Sequence, residues 1–457
     1  MFMKEKLPRL GQVKYAFGAL GYSVMYNIIS VMLIYFYLPP SNARMIELVP
    51  NVSFFGVITG LSLVLAFGRL TDAITDPLVA FFSDQSKNKK GRRIPYMRMA
   101  VFPTLLFGIL IFLPIRNETS DHNLIWLAVT LFLFYLSLTI YIVPFNALLP
   151  ELARTRKEKI YYAAYVSVGF VGGIVLSSQT PLLADIFELT FQLPTRSLAM
   201  QFSIGTIAIL AAICMAVPSW SINEKKYCVA TPISIPLHTA LKQTLSNRNF
   251  ILFIFTETLY FVALSIIASG MLYFLSVLLN LSEALGGAVM GLMVIVSLIF
   301  YPLIIAYSKA NGYKLLVISG LLTLGVCMGG VYFMGKLPFS PYVQIFSFSI
   351  IASYPLAVLG VLPHAIIAEI AHLDSKNTGE QKEGLYYAVR NFATKLGQTL
   401  GLFIFALLTI LGKDPENDLG IRLSGIIGMG LCFLAAFLFS RYRDQSFVLS
   451  LREEYQI

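Results

Sequence analysis

Charge is scarce in this chain. Of its 457 residues only 13% are Asp, Glu, Lys or Arg, against 57% hydrophobic ones, and the mean hydropathy is +0.74. A soluble protein of this size could not bury so much apolar surface, so that class is excluded and a polytopic membrane protein is implied. Cysteine is sparse as well. Cys214, Cys228, Cys327 and Cys432 are scattered, with no C-x-x-C and no His/Cys ligand spacing, which leaves neither a disulfide framework nor a structural metal. There are four histidines, no His-Glu-x-x-His and no glycine-rich phosphate loop, so the constellations of a membrane-embedded enzyme are missing. No polar stretch reaches the roughly 50 residues of a small output domain, which argues against a sensor. Basic residues exceed acidic ones by ten, but unevenly along the chain, so the excess reads as a topology signal and not as a nucleic-acid footprint.

What is present is a series of long apolar runs, each near the roughly 20 residues that cross a bilayer. They lie near 13–38, 54–83, 97–115, 124–149, 160–184 and 199–219, then near 250–279, 285–308, 314–334, 341–368, 385–411 and 420–440. This predicts an all-α membrane protein with twelve spans. The halves are expected at 1–219 and 250–440, joined by a linker at 220–249 and followed by a tail at 441–457. Within the linker, Leu237 to Phe250 spaces its leucines four apart and is expected to form a short amphipathic helix at the membrane surface. The first run is too long for a signal-peptide core and lacks a small-residue cleavage site, so it is expected to remain as a span. Most lysines and arginines fall in loops on the side of the amino end, with dense clusters at Lys87–Arg98 and Arg154–Lys159. Both termini are therefore expected to be cytoplasmic.

The second run carries Arg69, Asp72 and Asp76. At helical spacing all three share one face, and ionised groups at that depth persist only when paired or facing a polar cavity. Two acids one turn apart suggest a coupling-ion site, with Asp72, Asp76, Thr71 or Thr75 offering oxygens to Na⁺. A proton would need only one carboxylate of raised pKa. In the eleventh run Lys395 lies about three turns, roughly 15 Å, into its helix. Its expected partners are Asp72 and Asp76, taken as the only acids of similar depth, while Gly397 and Gly401 should permit close helix packing. The alternative is a purely structural charge network locking helices together. The halves also echo each other. Asp76-Pro77 matches Tyr301-Pro302 at the ends of the second and eighth runs, and Pro144–Leu152 matches Pro363–Ile370 in the fourth and tenth. Equivalent elements six spans apart imply two parallel six-helix halves, a major facilitator arrangement.

Several motifs resemble the glycoside–pentoside–hexuronide cation symporters, the group of the melibiose carrier. They are Arg69-x-x-Asp72-x-x-x-Asp76-Pro77, Gly91-Arg92-Arg93-x-Pro95-Tyr96, Pro144–Leu152, and Glu383–Tyr386 with Phe392 and Lys395-Leu396-Gly397. Asp72 to Pro77 is also worded as in the vertebrate lysolipid symporter of the same branch. The resemblance implies a cation site at Asp72, Asp76 and Thr75, with Arg69 and Lys395 as charge partners. Departures are clear. Ser23 stands for the family's sugar-binding aspartate, Ile142 and Asn146 for an aspartate and a stacking tryptophan, Tyr162 near an arginine, and Gln381 for a loop arginine. Tyr22, Tyr26, Asn27, Asn146, Tyr162 and Arg390 are candidate substrate contacts, although interhelical hydrogen bonding accounts for such polar groups equally well. Glu151, Glu369, Arg92 and Arg93 are candidate gating residues, and His364 a proton relay with Glu369. The expected protein is a monomeric, integral multi-pass symporter, in the cytoplasmic membrane if the source is bacterial. It would move a small organic substrate, a sugar or glycoside, with Na⁺ or H⁺ and no other cofactor. A lysophospholipid-like cargo or an uncoupled facilitator are the alternatives.

Overall fold

The computed structural model describes residues 7–51, 53–54, 58–86, 88, 91–152, 156–228, 246–378 and 383–442. The side chains of Arg69, Asp72 and Glu151, and most of the expected amphipathic helix at 237–250, lie outside the described residues. Apart from a short antiparallel pairing of Ser53–Phe54 with Ile58–Thr59, the regular elements described are helical. In hydrocarbon this follows from the backbone itself, because a helix satisfies its own N–H and C=O groups where no water can.

The chain falls into two compact units, one of residues 1–233 with 271–276 and 282–288, the other of 234–270, 277–281 and 289–457. The first holds α1 (Arg9–Tyr37), α2 (Gly60–Gln85), α3 (Ile94–Leu110), α4 (Asp121–Leu152), α5 (Arg156–Ser178), α6 (Thr180–Phe191), α7 (Arg196–Ser221) and the single turn α8 (Glu224–Tyr227). Here α1 packs on α5 and α7, and α2 and α3 pack on α4. Buried hydroxyls bind carbonyls of neighbouring helices, as an apolar interior requires. Tyr15 donates to Phe145 O at 2.5 Å, Tyr141 to Met215 O at 2.9 Å and Ser23 to Phe170 O at 2.6 Å. The second unit is built on α9 (Arg248–Tyr273), α10 (Gly286–Asn311), α11 (Lys314–Val331), α12 (Pro341–Thr378), α13 (Glu383–Leu408) and α14 (Leu419–Ser440). Within it α11 packs on α12 and α14, and α13 on α12 and α14. Gly397 and Gly401 bring α13 against α9. A methyl group on either would sit 2.5 Å from a carbonyl oxygen, of Thr258 and Val262 respectively.

Among the described residues nine helices are long and apolar enough to cross a membrane, which makes this an integral multi-pass protein. Three expected runs differ from the simple picture. The fifth is bent by 42° between Tyr165–Ser178 and Thr180–Phe191. Pro181 in the first turn of α6 supplies no backbone donor there, so the helix restarts beyond Gln179. The third is a 17-residue helix, shorter than its apolar run. The second begins only at Gly60, where Thr59 and Ser62 cap the helix reciprocally, each side chain accepting from the other's backbone N–H at 3.0–3.1 Å.

Candidate functional site

On α2, Asp76 and Thr75 are half-buried, and Oδ1 of Asp76 is fully enclosed. Thr75 donates its hydroxyl to Thr71 O at 2.9 Å, and Thr71 donates to Phe67 O at 3.0 Å. Spending the protons this way leaves both hydroxyl oxygens as acceptors, which suits a hard cation. Asp72 precedes Asp76 by one turn of the same helix. Asp76 belongs to the first unit and the half-buried Lys395 to the second.

The remaining candidates of the first unit divide between core and surface. Tyr162 is buried edge-on against Tyr15, itself stacked on Phe145 with ring centres 4.2 Å apart. Tyr22 also closes on Phe145, at 5.4 Å. Tyr22 and Tyr162, expected at the substrate, are instead part of an aromatic core. Asn27 is half-buried and donates to the backbone and hydroxyl of Ser23, Tyr26 is half-buried, and Asn146 is exposed.

The second unit holds a group that sequence reasoning only half found. Arg390 on α13 is buried and donates through Nε to both carboxylate oxygens of Glu257 on α9, at 2.8 and 2.9 Å, and through Nη2 to Oε1 at 2.5 Å. Nη1 meets Nδ1 of His364 on α12 at 3.3 Å. The expectation that Asp72 and Asp76 are the only deep acids is therefore wrong. Glu257 is 4% exposed and lies inside the 250–279 run, where an acid is itself the signal of a functional or paired group. Arg390, read as a substrate contact, is bound to Glu257, and the partner of His364 is Arg390 rather than Glu369. An apolar pocket lies beside this group, lined by Phe253, Thr256, Val317, Leu359, Pro363, Ile366 and Phe439 as well as Glu257.

A second missed acid organises the expected gating segment. Glu224 on α8 is buried and its carboxylate accepts from the backbone N–H groups of Arg92, Arg93 and Ile94 at 2.8, 2.8 and 3.0 Å. These are orphan donors at the start of α3, and a carboxylate there also meets the positive helix end. The Arg93 guanidinium is buried and donates to Ser83 Oγ at 3.3 Å. Arg98 ties α3 to α7 through Ser219 O at 2.6 Å, its guanidinium lying 5.8 Å over the Trp220 ring. Glu369 is half-buried on α12.

Ionisable groups held inside membrane-crossing helices mark a functional site, and the family that the chain matches is one of membrane transporters rather than enzymes. The chain belongs to the family described as MFS/sugar transport protein, whose model matches residues 14–441. It is 24% identical over 406 residues to the uncharacterized symporter YnaJ of Bacillus subtilis, covering 87% of this chain and 82% of the relative. It is 20% identical to the isoprimeverose transporter of Lactiplantibacillus pentosus, covering 91% and 82%. The crystal structure of a D-xylose–proton symporter shares the fold with a TM-score of 0.67 at 14% identity, over 95% of this chain and 98% of that one. Membership of this family, with symporters among the relatives, makes the protein a secondary transporter of the glycoside–pentoside–hexuronide-like branch.

Proposed function

We propose that the protein is a cation-coupled symporter that moves a sugar or glycoside by alternating access through twelve spans, with both termini cytoplasmic. The observation that carries this is Asp76, an acid with an enclosed oxygen on α2, one turn after Asp72 and beside a threonine whose oxygen can still accept. Asp72, Asp76 and Thr75 would bind Na⁺ or H⁺. Lys395 on α13 would partner the acids and Arg69 on the same helix would orient them; two carboxylates against one lysine leave about one negative charge before other partners are counted. Filling the site removes that charge and lowers the cost of closing a low-dielectric path around it. The absence of the family's sugar-binding aspartates, with Ser23 and Ile142 at those places, points to a less acidic cargo site than that of a galactoside carrier.

Uptake of radiolabelled glycosides into proteoliposomes, with and without an imposed Na⁺ or H⁺ gradient, tests this. Accumulation above equilibrium is expected in the wild type and is lost in Asp76→Asn, which keeps the shape and removes the charge. Equal uptake by both, indifferent to either gradient, would reduce Asp72 and Asp76 to structural residues.

A further inference from the structure

Where α1, α4 and α5 converge in the first unit, three aromatic side chains meet: Tyr15, Phe145 and Tyr162. The helices in the same ordinal places of the second unit are α9, α12 and α13, and they bring together Glu257, His364 and Arg390. The internal sequence echo itself aligns Pro144-Phe145 with Pro363-His364. The aromatic plug shows that this architecture closes here without charge, and a buried ion pair adds little stability over a well-packed apolar one. Three ionisable groups in place of the plug therefore indicate a function.

Charge decides which. Glu257 and Arg390 neutralise each other. Because Arg390 Nη1 can only donate, Nδ1 of His364 is the acceptor and the imidazole is uncharged. The triad sums to zero. A proton added alone would leave it at +1, and an anion added alone at −1, both costly beside Glu257 and Arg390, which are buried. Only an anion and a proton together preserve neutrality. In that state an anion oxygen accepts from Arg390 Nη1 and from the Nδ1–H of a protonated His364, between the two groups that now touch. We propose that Arg390 and His364 bind a carboxylate or sulfonate group of an organic ligand together with one proton, with Glu257 as a positioning residue. This rests on the transport reading only in taking the ligand as cargo.

The approach to the site is polar. His364 is exposed, and along α13 Tyr387, Asn391, Lys395 and Gln398 recur at three- and four-residue spacing, a stripe that belongs against water and not lipid. Among the described residues, the ionisable groups facing His364 are Arg390 and Tyr387 from α13, the Tyr387 hydroxyl donating to His364 O at 3.5 Å, and Glu257 from α9 behind Arg390. Tyr301 of α10 lies beside Gly360 one turn earlier, and Glu369 follows on α12 itself. From α11 and α14 the nearby pocket receives only the apolar Val317 and Phe439.

The test is equilibrium binding to the purified full-length protein in detergent, weakly buffered, with a pH indicator present. The probes are D-glucuronate and isethionate, with D-glucose as the uncharged counterpart. Each anion is expected to take up one proton as it binds, and its apparent Kd to rise about tenfold for each unit of rising pH. In His364→Gln, which keeps hydrogen-bonding capacity without charge, proton uptake is lost and binding weakens at least tenfold. In Glu257→Gln the empty triad becomes cationic, so anions bind without a proton, a separation that a merely structural triad does not produce. If that variant fails to fold, His364→Gln, at an exposed position, carries the test. Failure of both anions to bind, binding without proton uptake in the wild type, or unchanged behaviour in His364→Gln would overturn the proposal. Gradient-driven glycoside uptake without anion binding would discard this site and keep the transport reading, and the converse result would do the reverse.

Discussion

Glu224 shows how much one side chain can organise. Its carboxylate satisfies three backbone donors at the start of α3, and it leaves no room for a side chain at position 91, where the backbone turns through φ +122°. Glu224→Ala strands those donors and is expected to cost about 1–3 kcal/mol, read as a lowered unfolding midpoint in detergent. Gly91→Ala should lower it too, through left-handed strain and the clash with Glu224. The Glu257–Arg390 pair makes a sharper comparison. Removing one partner leaves a buried charge alone, so Glu257→Ala should cost about 3–5 kcal/mol, whereas Glu257→Leu combined with Arg390→Leu should cost less than the single change. Thermal unfolding of the three proteins checks the order.

Elements here are positioned by what their surfaces lack. The close approach of α13 to α9 depends on Gly397 and Gly401, a spacing legible in the sequence because small residues one turn apart allow backbones to meet. Gly401→Leu is expected to wedge the two helices apart and, by moving Arg390, to weaken the Glu257 contact. The signs would be a lower unfolding midpoint and lost cysteine cross-linking between α9 and α13. The break between α5 and α6 was not legible from hydropathy, since an apolar run has the same composition whether straight or bent. Pro181 was its only mark, and a proline in a run does not state whether the helix kinks or restarts. The late start of α2 was hidden in the same way, because its capping box, Thr59 with Ser62, departs from the usual acidic partner.

At the level of the molecule, the lysine and arginine clusters make an orientation testable without any substrate. Alkaline phosphatase fused after Asn117, between α3 and α4, is expected to be active, and fused after Lys90, between α2 and α3, inactive, when the chain is expressed in a bacterial inner membrane. The reverse pattern would invert the topology read from the cluster around Lys87–Arg98. The internal echo has a structural meaning that its sequence match did not convey. Equivalent helices meet in both units, but around Phe145 they close with stacked rings and around His364 with an ion triad.

The sequence alone determined the class of protein, the order of the apolar helices and the presence of ionised groups among them. These depend on composition and periodicity, which the bilayer enforces residue by residue. It also carried the family, through motifs in both halves. Only the tertiary structure decided the partners. Arg390 pairs with Glu257 across 133 positions, Glu224 reaches Arg93 across 131, and Tyr162 turns inward to Tyr15. A buried charge announces in the sequence that it must be compensated. Which distant residue compensates it depends on helix rotation and packing, and those are fixed only when the whole interior is filled at once.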